Sequence, residues 1–111
     1  MEVGRHHNIK KDFKLLKRYL TAEESLKAWE RLFSSKGLRE TPGIEVYPGF
    51  GQERIYKARV VPLKEKCGKS KGYRVIFKIV DDICEILVFS RHGIYKSEKE
   101  LISIIKTRLL D

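Results

Sequence analysis

Three short apolar-rich runs with tight connections occupy the centre of this chain. They span residues 54–62 (R-I-Y-K-A-R-V-V-P), 73–80 (Y-R-V-I-F-K-I-V) and 83–91 (I-C-E-I-L-V-F-S-R). Each is rich in β-branched and aromatic residues, the types that suit a pleated surface. Only Asp81-Asp82 separates the second run from the third, which is the length of a tight hairpin loop. A glycine-bounded turn, G-K-S-K-G from Gly68 to Gly72, leads from the first region into the second. Consecutive strands with short connections form an antiparallel meander, because a parallel pairing needs a long crossover.

Helical periodicity lies on either side of these runs. Ile9, Phe13, Leu16 and Leu20 recur at helical spacing, while Lys10, Lys11, Lys14, Lys17 and Arg18 fall mostly off that stripe. Thr21, followed three residues later by Glu24, has the pattern of a capping box, so a second helix is expected from Ala22. Its apolar side is Leu26, Trp29, Leu32 and Phe33, with Gly37 as the stop and Thr21 as the hinge of a helical hairpin. Residues 39–53, with Pro42, Gly43, Pro48, Gly49 and Gly51, read as a loop. Leu101, Ile104, Ile105 and Leu109 predict a last helix, opened by the S-x-x-E pattern of Ser97 and Glu100. The expected fold class is α+β: an N-terminal helical hairpin packed on a small antiparallel sheet, with a C-terminal helix and the helices on one face. This order leaves room for a further short strand before Asn8.

At 111 residues the chain is expected to form one domain. Its 24 Lys+Arg against 15 Asp+Glu give a net charge of +9, more than solubility requires, so a polyanionic or acidic partner is expected. No apolar run approaches the roughly 18–20 residues of a membrane span, and no hydrophobic leader opens the sequence. Cys67 and Cys84 are expected to be free thiols, and the protein cytoplasmic. Two cysteines and three histidines at scattered spacing form no zinc signature, so no metal or cofactor is expected. Gly68-Lys69-Ser70 is not a phosphate-binding P-loop, since the glycine needed five positions earlier is Leu63.

The basic residues of the strands point to a phosphodiester. Lys57 and Arg59 are two apart and therefore share one strand face. They can hold flanking phosphates, or form a solvated face. Cutting a phosphodiester without a metal needs a base, fixed cations at the phosphate and an acid for the departing oxygen. Arg74 and Arg91 are the candidate cations, because a guanidinium grips phosphate oxygens bidentately; the alternative for either is a carboxylate partner in the helical layer. Tyr95 can move a proton if cationic neighbours lower its pKa, or can simply pack its ring at the sheet edge. His92 offers an imidazole, the residue type suited to proton transfer near neutral pH. Lys69 and Lys71 are candidate contacts to an RNA backbone, while His6 and His7 read as surface residues.

The pattern resembles the RelE/ParE superfamily of toxin proteins, and within it the HigB-like branch. The residues that carry the resemblance are I-K-K-D-F-K-L-L, then I-Y-K-A-R-V followed by G-K-S-K-G-Y-R-V-I-F, and finally E-I-L-V-F-S-R-H-G-I-Y-K-S-E-K-E-L. It covers nearly the whole chain. The sequence departs from the family in two places: Lys71 replaces the first glycine of the usual Gly-Gly pair, and Gly4 and His6-His7 interrupt any leading strand. The resemblance implies an endoribonuclease that cuts messenger RNA, usually on the ribosome, and that a small cognate antitoxin neutralises. Arg91 and Tyr95 fall on the positions of its catalytic set. The alternatives are a non-catalytic module of the same fold that binds nucleic acid or antitoxin, and a gyrase-directed ParE-like toxin.

Overall fold

The computed structural model describes residues 1–65 and 72–111; Cys67, Lys69 and Lys71 lie outside the described residues. The fold is α+β. In chain order the elements are β1 (Glu2–Arg5), α1 (Ile9–Leu15), α2 (Ala22–Glu40), β2 (Ile44–Val46), β3 (Ile55–Val60), β4 (Tyr73–Val80), β5 (Ile83–Arg91) and α3 (Glu98–Leu109). The sheet order is β1-β5-β4-β3-β2. Among the described residues, no helix is long and apolar enough to cross a membrane.

The three expected strands are β3, β4 and β5, and they form the expected antiparallel meander. Asp81 and Asp82 both adopt positive φ, at 50° and 63°, as a two-residue hairpin loop matched to strand twist requires. Gly72 opens β4 against the end of β3. A Cβ there would lie 2.4 Å from the Val60 carbonyl oxygen, so only glycine permits this approach.

Two strands widen the meander. β1 joins β5 in parallel, making the sheet mixed rather than purely antiparallel. β2, inside the expected 39–53 loop, pairs antiparallel with β3. With three residues it is too short to show alternation, and it exists because β3 offers an unpaired edge.

The helices occupy both faces of the sheet, not one. On β4, Val75 and Phe77 pack with Trp29 and Phe33 of α2, while Ile76 between them packs with Leu101 and Ile105 of α3. Alternate residues of a strand point to opposite faces, so the α1–α2 hairpin and α3 sandwich the sheet. The hairpin side is the more aromatic. The Trp29 and Phe33 rings stack at 5.0 Å, and both meet Phe77.

Local signals were followed unevenly. Helix α1 stops at Leu15, and Leu20, expected on its apolar stripe, is 92% exposed in the connection. Helix α2 begins at Ala22 as expected, but the Thr21 hydroxyl makes no cap; it reaches Glu65 at 2.7 Å and the Tyr73 hydroxyl at 2.9 Å. Leu32 of the expected apolar side is partly exposed. Gly37, at φ 77°, kinks the helix rather than ending it. Ser97 does cap α3, accepting from the Glu100 N–H at 3.2 Å.

A bulge in β5 re-phases the strand. Ile76 faces Val88 and Phe77 faces Ile86, so Leu87 is an extra residue, and both Leu87 and Val88 pack toward α3. β1 covers only Ile83–Ile86, its last link being the His6 N–H to the Ile86 carbonyl. Beyond that point two side chains replace the missing strand. Asp12 of α1 accepts from the Phe89 N–H at 2.8 Å, and Arg108 of α3 donates to the Leu87 carbonyl at 2.7 Å. The two also form a buried bidentate ion pair, at 2.7 and 2.8 Å, which joins both helical layers to the bulge. Its buried backbone groups are thereby satisfied, as burial demands.

Candidate functional site

On the α3 face of the sheet, strand pairing sets basic residues side by side. Arg59 lies opposite Arg74, and Arg74 opposite Ser90; in the next row Lys57 lies opposite Ile76 and Ile76 opposite Val88. Lys57 and Arg59 share this face, as their spacing predicts. Lys57 is drawn outward toward Glu45 at 4.0 Å, its ammonium 5.7 Å from the centre of the Tyr47 ring. Arg59 is exposed and has no carboxylate within 4.0 Å among the described residues.

Where β5 ends, the chain turns sharply. The Ile94 N–H donates to the Arg91 carbonyl at 3.1 Å, and Gly93 takes φ 91° at the third position, a geometry that favours glycine. The turn carries His92 and Tyr95 back over the sheet, and α3 starts directly afterwards. A cleft of about 340 Å³ results, with Arg74, Ile76, Val88 and Ser90 from the strands and His92, Tyr95 and Glu98 from the turn and helix among its walls. That volume lies at the small end of the roughly 300–1,000 Å³ typical of ligand sites.

Arg74 meets this cleft with its guanidinium 3.4 Å from Glu98, which stands in the first turn of α3. The Tyr47 hydroxyl donates to the same carboxylate. Burial, and then this hydrogen bond, raise the Tyr47 pKa well above the ordinary phenol value. His92 is exposed at the mouth, its backbone N–H held by the Gly72 carbonyl at 3.3 Å. Tyr95 is half-buried against the α3 core. Its pKa is pushed up to about 12, chiefly by burial and then by the negative charge of Asp12. That reverses the expected lowering by cations: Tyr95 keeps its proton at neutral pH and can serve as a donor, not as a base.

Arg91 contributes to the cleft wall, but its guanidinium is engaged elsewhere. It pairs in register with Tyr73, whose ring belongs to the hairpin side of the sheet. There it donates to both oxygens of Glu65, at 2.7 and 3.0 Å. It also lies over the Tyr19 and Tyr73 rings, at 4.3 and 4.9 Å from their centres. Its side chain is only 10% exposed. The Glu65 pKa falls to about 2, held down first by the Arg91 hydrogen bonds and then by that of Thr21. The helical carboxylate partner that sequence reading weighed for either arginine is thus met by Arg74, through Glu98 of α3, while Arg91 finds its carboxylate in the β3–β4 connection.

His6 corrects another expectation, since it is buried rather than on the surface. Its Nδ1 accepts from the Asn8 N–H and its Nε2 donates to the Arg108 carbonyl, both at 3.1 Å, which defines a neutral imidazole. His6, His7 and Asp111 place ligand-type atoms within 4.8 Å of one another. Because both His6 nitrogens are committed to backbone partners, that cluster presents a metal ion with His7 and Asp111 but no free His6 lone pair. Cys84 is a buried thiol whose pKa burial raises to about 12, so it is no nucleophile.

Sequence reasoning missed Glu98, Tyr47, Glu65, Asp12 and Arg108. Of these only Glu98 carried a local signal, as an acid in the first turn of a capped helix beside the S-R-H-G-I-Y turn. Comparison with family models, with curated proteins and with solved structures finds no match for this chain.

Proposed function

We propose that this protein is a metal-independent endoribonuclease acting at the cleft between β4, β5 and the start of α3. The single observation that carries the reading is the convergence of Arg74, His92 and Tyr95 on one small cleft beside a basic sheet face. In this reading Arg74 steadies the scissile phosphate, Lys57 and Arg59 hold the flanking strand, and His92 and Tyr95 supply proton donors for the departing 5′-oxygen. Arg91 braces the turn that carries His92 and Tyr95, and reaches phosphate only if Glu65 releases it. With the resemblance to RelE- and HigB-like proteins, the natural substrate is messenger RNA, met on the ribosome, and the biological role is that of a toxin held by a cognate antitoxin.

Purified protein incubated in a chelator with a mixed-sequence RNA tests the reading. New ends carrying 2′,3′-cyclic phosphates are the expected product, and RNA with 2′-O-methyl groups stays intact. An unmodified RNA left intact both as free RNA and as message on the ribosome overturns it.

A second reading rests on a specific observation: Glu65 engages Arg91 and Glu98 engages Arg74, which reduces the cationic charge free for a transition state. A non-catalytic RNA-binding module then binds RNA with a steep salt dependence and forms no product.

A further inference from the structure

A base for the 2′-hydroxyl is the one task that no residue above performs. Tyr95 keeps its proton at neutral pH, and His92 cannot be acid and base in the same step. Among the described residues that wall the cleft, Glu98 is the carboxylate. It is fixed rather than free. The Tyr47 hydroxyl donates to one oxygen, and Arg74 approaches the other at 3.4 Å. Two donors from separate elements, the β2–β3 connection and β4, thus orient one carboxylate at the edge of the cleft while its side chain remains more than half exposed. Each carboxylate oxygen has two lone pairs, so an oxygen already accepting one hydrogen bond can still take a proton. The N-terminal turn of α3 also places it where the helix dipole favours a negative charge.

We infer that Glu98 is the general base of the cleavage and that His92 is its partner acid. This assignment rests on the endoribonuclease reading above. In the step, the Glu98 carboxylate takes the proton of the 2′-hydroxyl as that oxygen bonds to the adjacent phosphorus. The bond from phosphorus to the 5′-oxygen breaks, and the 5′-oxygen leaves with the proton of the His92 imidazolium. The products are a 2′,3′-cyclic phosphate and a 5′-hydroxyl; the 2′-oxygen gives one proton to Glu98 and the 5′-oxygen takes one from His92, so no metal or other reactant is required. Arg74, already beside Glu98, faces the non-bridging oxygens where negative charge grows. Among the described residues, the charged or titratable groups that share the cleft with Glu98 are Arg74 from β4, Arg91 from β5, and His92, Tyr95 and Lys96 from the turn before α3, while Tyr47 of the β2–β3 connection is hydrogen-bonded to it.

The experiment compares the parent with Glu98→Gln on a short RNA in chelator, across pH 4.5–9. Affinity for the 2′-O-methyl form is measured in parallel. Glutamine keeps one oxygen, enough to accept from Tyr47 or from Arg74 but not from each at a separate atom, and cannot take a proton. The expected result is a roughly 10²–10⁴-fold loss of cleavage, the disappearance of the rising acidic limb of the pH profile, and affinity within a few-fold of the parent. A second variant, Tyr47→Phe, retains the base and loses one of its holders; cleavage falls by a smaller factor and the acidic limb stays. Glu98→Gln cutting within about threefold of the parent overturns the assignment while leaving the endoribonuclease reading intact. A large loss with the acidic limb unchanged also overturns it, making Glu98 a positioning residue for Arg74. No cleavage by the parent, of the short RNA or of message on the ribosome, overturns both.

Discussion

On the hairpin face of the sheet, Arg91 lies between the Tyr19 and Tyr73 rings and is gripped at both terminal nitrogens by Glu65. On the α3 face, in the neighbouring row, Arg74 meets a single exposed carboxylate at 3.4 Å. The residue type is the same, and the strands are adjacent. What differs is the packing around each guanidinium. A bidentate, largely buried pair is a fixed strut, whereas a partly exposed single contact is screened and readily exchanged for a ligand. The hairpin face therefore holds the molecule together, and the α3 face is left able to bind.

The sharpest way to break this division is at the edge where the two layers meet. Asp12→Ala leaves Arg108 buried without its carboxylate and the Phe89 N–H without an acceptor. A loss of about 3–5 kcal/mol is expected in urea unfolding; a change below about 1 kcal/mol means the pair is not what joins the layers. Next in size is Arg74→Ala, which is expected to lower cleavage about 10²-fold while unfolding stays within about 0.5 kcal/mol of the parent. Should stability fall as much as activity, Arg74 belongs to the scaffold and the contrast with Arg91 disappears.

Arg91→Lys reverses that pattern. The lysine retains charge but not the fork, so about 1–2 kcal/mol of stability is expected to go, with cleavage by the folded variant within a few-fold of the parent. A hundredfold loss of cleavage at unchanged stability would show that Glu65 yields Arg91 to the substrate.

Acid sharpens the comparison through two groups with lowered pKa values. The neutral His6 is held below the ordinary imidazole value of 6.5 by burial and then by the charge of His7. The unfolded chain thus takes up the proton first, and stability present above about pH 6.5 declines as pH falls below it. The geometry agrees, since a proton on Nδ1 would face the Asn8 N–H. Glu65, lowered from 4.5 to about 2, follows by the same sign: its contribution is complete above pH 4.5 and is lost as pH falls toward 2. Stability measured against pH should descend in these two stages, with His6→Asn removing the first and Arg91→Lys weakening the second. The smallest effect belongs to the caps. Ser97→Ala is expected to cost about 1 kcal/mol, read from thermal unfolding, because its hydroxyl accepts from Glu100.

Much of the scaffold was legible along the chain, and the reasons are local. Asp81-Asp82 can hardly be anything but a two-residue loop between two apolar runs, and Ser97 before Glu100 caps its helix as written. Thr21 carries the same cap pattern and does not use it, since Tyr73 and Glu65, distant in sequence, compete for its hydroxyl. β2 was illegible because three residues between Gly43 and Pro48 hold too little pattern. Of the residues lining the cleft, Arg74, His92 and Tyr95 were singled out in the sequence by residue type and by their place at the strands and the turn after β5, whereas the pairings of Glu65 and Glu98 depend on partners more than twenty residues away.

The amino-acid order by itself determined where the three meander strands lie, where the helices begin, which hairpin connection is tight, and that the chain carries a large excess of positive charge. These are consequences of backbone preference and short-range periodicity. Only the tertiary structure decided which face each arginine serves. The extra residue at Leu87 shifts the alternation of β5, so that Cys84 and Ile86 before it, and Phe89 and Arg91 after it, all point toward the hairpin. A period of two read along the strand cannot foresee that step, because the bulge is stabilised from outside the strand, by Asp12 and Arg108 binding the backbone groups that β1 is too short to reach.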